Sequence, residues 1–500
     1  MSSKKYKKNK AASVEEVRVI AEEATPAPKP VNMFPQHWLL LIVFSFGFLL
    51  YVNTFQNQYA VDDTIIITSN RFTQAGFEGI SDILTTDAFE GHFGERGKTL
   101  VAGGRYRPLS IVSFAIEIGL WGKNHPQRSH LINAILYGLL GIVSLLFLQL
   151  ILPSNSKKPW YVALPFWITM LYLAHPINTE AIANIKGRDE LMGMLFSMLA
   201  LYGFTKYVVT QKIFWLPLSV FVYFLALLSK ENAITFLAIV PITYYVFTNA
   251  SRKNYIFTMV SMLIVAVVFL YLRNAYTAGE MSHFTSELMN NPFLLSSFSE
   301  KYGTIIYTFL VYLKLLFIPH PLTHDYYPWQ IPKLGLSHPL VVLSILLNLA
   351  LVLYALWKIR TKDHVAYGIL FAYFSFSVVS QIFFTVGTNM NERFLFMPSF
   401  GFCFVIACLL NKAYENKAWS KVSFAALGII LVLFSVKTFS RNMDWENDFV
   451  LFEKDVQVST QSAKLNMAYG GTLIDRANVI YYKYKRTYPH YGVGEFVNFK

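Results

Sequence analysis

Between Trp38 and about Thr54 the chain carries no charged residue, a run long enough to form a membrane helix. Ten further stretches of this kind follow, at about 131–152, 159–174, 190–205, 213–229, 232–250, 254–273, 339–357, 365–386, 394–411 and 420–438. Several are shorter than the ~20 residues of a perpendicular span, so they are expected to tilt or to borrow flanking aromatic residues. Composition points the same way. Of the 500 residues 54% are apolar and 15% charged, where an ordinary soluble chain has roughly 25% charged. A water-soluble globule of this size could not cover its surface with so few charges. The expectation is an all-α polytopic membrane protein. The two cysteines, Cys403 and Cys408, lie in one apolar run and read as small core residues rather than as a disulfide.

A twelfth stretch, 302–319, fixes the orientation. Lys and Arg gather in cytoplasmic loops. If this stretch does not cross, Lys157/Lys158, Lys206/Lys212, Arg252/Lys253, Lys358/Arg360/Lys362 and Lys412/Lys417/Lys421 all fall on the side of the basic N-terminus. Lys314 in its interior suits an interfacial helix better than a span. Eleven crossings follow, with the N-terminus inside and the C-terminus outside. The first 36 residues, rich in Lys and Pro, read as a disordered cytoplasmic tail. Two large outer loops, 55–130 and 275–338, hold interfacial helices, and the outer side collects most of the unusual polar residues.

Asp62 and Asp63 come just past the end of the first span. Burial there would raise a carboxylate toward base-competent values, whereas a nearby cation would lower it. The pair also reads as helix capping followed by solvated loop. Arg105 and Arg107 end the same loop, ahead of an amphipathic stretch that holds Glu117 and is too short and too charged to span. Guanidinium forks suit phosphate, though they also anchor lipid headgroups.

The turn HPINTEAIANIKGRDE packs His175, Glu180, Lys186, Arg188, Asp189 and Glu190 into about fifteen residues. Of these, Asp189 or Glu190 can simply cap the next helix, and His175 reads as a hydrogen-bonded structural residue. Lys230 and Glu231, nearly without loop on either side, must satisfy each other or serve a ligand. His324, Asp325 and Tyr326 lie in the second loop, and Glu392 and Arg393 stand at the outer start of the tenth span. The sum is a cation-rich, carboxylate-bearing cavity at the outer membrane face. The sequence holds no GxxxxGKS or GxxxxGKT, no GxGxxG after a strand and no GxSxG, so no nucleotide and no nucleic-acid partner is expected. Few acids lie within the spans, which weakens a proton-coupled transporter.

The ordered series VDD, GRYRPLS, HLINAILY, HPINTEAIANIKGRDE, LSKENAIT, NPF, LFIPHPLTHDYYPWQIP, NERFLFMPSFGF and RNMDW resembles the transmembrane O-mannosyltransferases that carry tetratricopeptide repeats. These are lipid-phosphate-dependent glycosyltransferases of the GT-C fold, and the likeness covers about 37–452. The resemblance implies a GT-C catalytic domain over 37–440 and an extracytoplasmic segment, 441–500, holding one partial repeat where the family usually has many. Either the sequence is truncated or the acceptor-recognition module is missing.

The resemblance further implies a sugar donor on a polyprenyl or dolichyl phosphate, with mannose as the sugar. The acceptor would be the Ser or Thr hydroxyls of exported proteins, and membrane lipids would be partners. Asp62 and Asp63 inherit the roles of base and acceptor-positioning group. Arg105, Arg107, Arg188 and Arg393 match motif positions and are assigned to the phosphate by charge. With His175, Glu180, Asp189, Lys230, His324, Asp325 and Glu392 they make up the candidate binding set. No cofactor is demanded. Some relatives of the fold use a divalent cation, so Mg or Mn stays open without named ligands. The Lys-rich tail suggests a bacterium, hence an undecaprenyl-type carrier and the inner membrane, with the site on the extracytoplasmic face. The alternatives are transfer to lipid or polysaccharide, or a flippase of lipid-linked saccharides.

A hydroxyl nucleophile needs a proton acceptor, and a lipid phosphate leaves as an anion that needs cations more than a general acid. One acidic motif among several cations suits an inverting displacement. A retaining pair would stand roughly 5 Å apart.

Overall fold

A computed structural model of the protein describes residues 35–94, 104–152, 159–277, 291–328 and 330–487. The tail expected at 1–36, apart from its last two residues, and the stretch 488–500 lie outside the described residues. Among those described, all regular structure is helical.

Each of the eleven apolar stretches contains a helix: α1 Gln36–Leu49, α3 Pro126–Ile151, α4 Leu164–Ala174, α5 Arg188–Thr210, α6 Trp215–Ser229, α7 Phe236–Phe247, α8 Arg252–Thr277, α10 Pro339–Lys358, α11 His364–Phe376, α12 Pro398–Glu415 and α13 Ser420–Asp444. Interleaved with them are α2 Pro108–Trp121, α9 Phe298–Phe317, α14 Asp448–Asp455 and α15 Ala463–Thr487. Among the described residues five helices (α3, α5, α8, α10 and α13) are long and apolar enough to cross a membrane. The chain is an all-α, multi-pass membrane protein.

Local chemistry sets the helix starts. Proline occupies the first turn of α2, α3, α4, α10 and α12, where its missing N–H has no partner to lose. The stretch 302–319, expected not to cross, is helical as far as Phe317 in α9, which opens on a reciprocal capping box between Ser297 and Glu300. The stretch expected at 365–386 departs from the sequence reading, because α11 stops at Phe376. Hydroxyls of Ser375, Ser377 and Ser380 turn back onto the carbonyls of Phe371, Phe374 and Ser377, each at 2.7 Å. Such bonds compete with the helical ladder. The chain then runs without regular structure to Asn391.

In the bundle α3 and α5 are central. About 56% and 72% of their most apolar windows are buried, against 22% in α8 and 17% in α10 and α13. The outer helices thus keep broad apolar faces uncovered by protein, as a lipid solvent allows. Helix α3 packs on α1 and α5, while α12 packs on α4, α11 and α13. Small residues let the inner helices close. A Cβ on Gly138 of α3 would come within 2.7 Å of the Phe44 ring of α1, the close approach that membrane helices make at glycine. One large core, including Tyr137, Trp167, Phe204, Phe236 and Phe400, joins these helices.

Candidate active site

The loop segments between helices converge on one cavity of about 460 Å³. Among its lining residues Lys and Arg outnumber Asp and Glu seven to four, which favours an anionic occupant. One flank is apolar and includes Ile234, Phe269, Leu270, Phe384, Val386 and Phe394. The irregular segment after α11 supplies part of that flank, so the early end of α11 shapes the site.

At the polar end Asp62 faces three cations. Its Oδ2 is 3.5 Å from Arg393 Nη1 and 4.0 Å from Lys186 Nζ, and the Arg105 charge also acts on it. Burial alone would raise this carboxyl, but Lys186, Arg393 and Arg105 outweigh it and hold the group at about 2. Asp63 behaves oppositely. It is 1% exposed and accepts the N–H groups of Ala60 at 2.9 Å and Lys186 at 2.7 Å. Burial lifts it to about 7 against those two hydrogen bonds. Asp62 therefore lines the cavity, while Asp63 ties the loop after α1 to the turn before α5.

The remaining candidates divide by position. Arg105 lines the cavity with its guanidinium 4.7 Å from the centre of the Phe89 ring and forms no ion pair among the described residues. Burial and the adjacent Arg107 lower it to about 10. Arg107 is committed to Glu231, with Nε to Oε2 at 2.8 Å, and to Asp189, with Nη1 to Oδ2 at 2.7 Å. Lys186 reaches Asp189 at 3.1 Å, and Lys230 bridges Asp189, at 3.5 Å, and Glu190. Asp189, which does not itself line the cavity, thus gathers three cations of its wall, Arg107, Lys186 and Lys230. Arg393 pairs with Glu180 at 3.3 Å and also gives it a backbone N–H at 3.1 Å. The Glu180 carboxyl is raised by burial against the pull of Arg393.

Three members lie apart from Asp62. Arg188 is fully buried and pairs with Glu117, Asn133 and the Ser129 carbonyl, with Phe114 against its face. Its network lies between α2, α3 and α5, which explains how Glu117 is tolerated in an apolar helix. His175 donates from Nε2 to the Leu316 carbonyl at 2.9 Å and accepts the Ile177 N–H at Nδ1, a loop-fixing role. Glu392 takes the Thr323 N–H at 2.6 Å and the Tyr326 hydroxyl at 2.8 Å, and burial raises it to about 8.

His324 and Asp325 line the cavity from the second loop. The His324 Nδ1 is 2.8 Å from Asp455, which also accepts from Arg441 at 2.6 and 2.9 Å. Asp325 accepts from Ser462 at 2.9 Å. Trp445, Phe452, Lys464 and Leu465 complete that side. These last residues were not in the sequence-derived set. Only Trp445 had a signal, in the RNMDW motif, because polar helices beyond the last span carry no spacing that marks a site.

Among the described residues no three His, Cys, Asp or Glu side chains group as metal ligands would. The carboxylates Asp62, Glu180 and Glu231 already face Lys or Arg. This donor set does not fit Mg or Mn.

No family model matches the sequence. Human protein O-mannosyl-transferase TMTC3 is 28% identical over 407 residues, which cover 75% of this chain and 43% of the relative. The chain is a homologue of protein O-mannosyl-transferases. A protein O-mannosyl-transferase of Caenorhabditis elegans is 27% identical over 440 residues, covering 87% of the chain and 60% of the relative. Mouse protein O-mannosyl-transferase TMTC4 is 24% identical over 496 residues, covering 89% and 65%. The chain thus spans less than two thirds of the length of these O-mannosyl-transferases, which are glycosyltransferases by name.

Proposed function

We propose that the protein is a GT-C-type membrane glycosyltransferase with eleven crossings and an extracytoplasmic site. It moves a sugar, mannose by the relatives' names, from a polyprenyl phosphate to Ser or Thr hydroxyls of exported proteins. The observation that carries this reading is the meeting of Asp62 with Arg105, Lys186 and Arg393 in one cavity that also has an apolar flank. The cations suit the donor phosphate and the flank suits the first isoprene units.

In this mechanism Asp62 takes the proton of the acceptor hydroxyl as its oxygen attacks the anomeric carbon. The bond from that carbon to the phosphate oxygen breaks, and its electron pair leaves with the lipid phosphate. Arg105, Lys186 and Arg393 take up the charge that develops there. A single displacement inverts the anomeric centre.

A carboxyl held at about 2 is a weak base, and the donor corrects this. Its phosphate neutralises the cations that depress Asp62, leaving burial to raise the carboxyl. The base is strengthened only when the donor is in place.

The test is a transfer assay on the protein in lipid nanodiscs, with a synthetic mannosyl-phosphoryl-polyprenol and a Ser/Thr-containing peptide. The expected result is one mannosylated peptide per polyprenyl phosphate released, with inverted configuration. Movement of the donor lipid across vesicle membranes with no bond cleaved would instead make the protein a flippase.

A further inference from the structure

Val61 stands one residue before Asp62 with φ at +53°, a left-handed conformation in which a β-branched residue is a genuine outlier. Such a conformation persists only where the surroundings over-determine it. Within the turn, the Ala60 N–H bonds the Asp63 carboxylate at 2.9 Å and the Asp63 N–H returns to the Ala60 carbonyl at 3.2 Å. The Val61 N–H goes elsewhere. It donates at 2.7 Å to Oδ1 of Asp448, 387 positions later in the sequence. The left-handed residue that precedes the cavity carboxylate is thus held from the C-terminal segment.

We propose that Asp448 is a positioning residue, whose hold on the Val61 N–H fixes the left-handed turn that aims Asp62 into the cavity. The inference rests on the reading of Asp62 as the base. Asp448 is well placed for the task because its own helix is anchored. The Asn447 side chain caps α14 by accepting the Val450 N–H at 3.0 Å, and the Gln58 N–H bonds the Glu446 carbonyl at 2.8 Å. Ala60, Ala183, Trp445, Leu451, Phe452 and Leu465 form one apolar cluster under the turn. At the other end of α14, Asp455 is gripped by Arg441. When the carboxylate at 448 is removed, the Val61 N–H loses its partner and the Ala60–Asp63 bonds are left to oppose relaxation of the unfavourable φ. The turn relaxes toward negative φ and carries the Asp62 carboxyl off its line.

The test compares variants of the full chain in nanodiscs, with mannosyl-phosphoryl-polyprenol and a Ser/Thr peptide as probes. Asp448→Ala is expected to lower kcat about 10- to 100-fold, as misplacing a reacting group by about 1 Å does. Asp448→Asn keeps an acceptor oxygen and should stay within about threefold of the wild type. Adding Val61→Gly to Asp448→Ala, where glycine takes positive φ freely, should recover about tenfold. Such recovery is not expected of a residue that merely stabilises the fold.

Wild-type kcat in Asp448→Ala overturns the proposal, as does a double variant no faster than Asp448→Ala when both melt like the wild type. A second comparison leaves Asp448 in place. Val61→Pro, which fixes φ near −65° and lacks the N–H, should be at least about tenfold slower than Val61→Gly. Equal rates overturn the proposal even if Asp448→Ala fails to accumulate. Asp62→Asn, assayed alongside, separates the two ideas. Full activity there removes the base reading and this proposal together, whereas its loss beside an unaffected Asp448→Ala removes only the proposal.

Discussion

Replacing Asp62 by Asn should separate catalysis from donor binding in opposite directions. As base, Asp62 is expected to contribute on the order of 10²–10⁴ in kcat, and Asn cannot take the proton. As an anion, Asp62 also competes with the donor for the cations that lie 3.5 and 4.0 Å from it. A phosphate on those same cations would stand on the order of 6 Å from the carboxylate. The repulsion between the two is then about 3 kcal/mol at an effective dielectric of 20. The Asp62 side chain is 28% exposed, so screening reduces this to roughly 1 kcal/mol, or about a fivefold difference in affinity. Asn at 62 should therefore bind mannosyl-phosphoryl-polyprenol several-fold more tightly while turning over at least a hundredfold more slowly. Equilibrium binding in nanodiscs and single-turnover transfer measure the two separately. If affinity falls together with rate, Asp62 is a donor ligand and not the base; an unchanged rate removes it from the chemistry.

Three further predictions follow from the same geometry. Among the described residues Arg105 has no ion pair to lose, so Arg105→Ala should weaken donor binding about tenfold at little cost in stability, while Lys at that position restores part of it; thermal melts and donor titrations check both. Glu392 is raised by burial from 4.5 to about 8, so the folded state binds a proton that the unfolded state has released. Stability is therefore expected to fall as pH rises from about 4.5 through about 8. Glu392→Gln should flatten that slope in melts at pH 6 and 9, and an unchanged slope contradicts the assignment. Glu117→Ala strands a buried Arg188 and should cost about 3–5 kcal/mol, whereas Glu117→Leu with Arg188→Met should recover most of the melting temperature. If the single variant melts like the wild type, the pair is not what stabilises α2 against α5.

Helix positions were legible because apolar runs leave few alternatives to a helix in a membrane. The end of α11 was less so, since three serines that bond back to carbonyls look, in a hydropathy reading, like mild residues inside a run. The loop motifs drew attention to Asp62, Arg105 and Arg393, which line one cavity. The division of labour between Asp62 and Asp63 was out of reach. It depends on which carboxylate takes the backbone N–H of Lys186, more than a hundred positions away. Arg188 illustrates the same limit, because its partner Glu117 sits in a helix whose charge had seemed only a bar to spanning. Asp448 and Asp455 had no signal at all; ordinary acids in a polar helix acquire meaning only from what they reach.

The cavity wall draws on segments far apart in the chain, from Val61 to Ala468. Residues 445, 452 and 464 complete a pocket whose other cations come from positions 105 to 393. Until α14 is made, a chain that already holds the cations at 105 to 393 lacks the acceptor of the Val61 N–H.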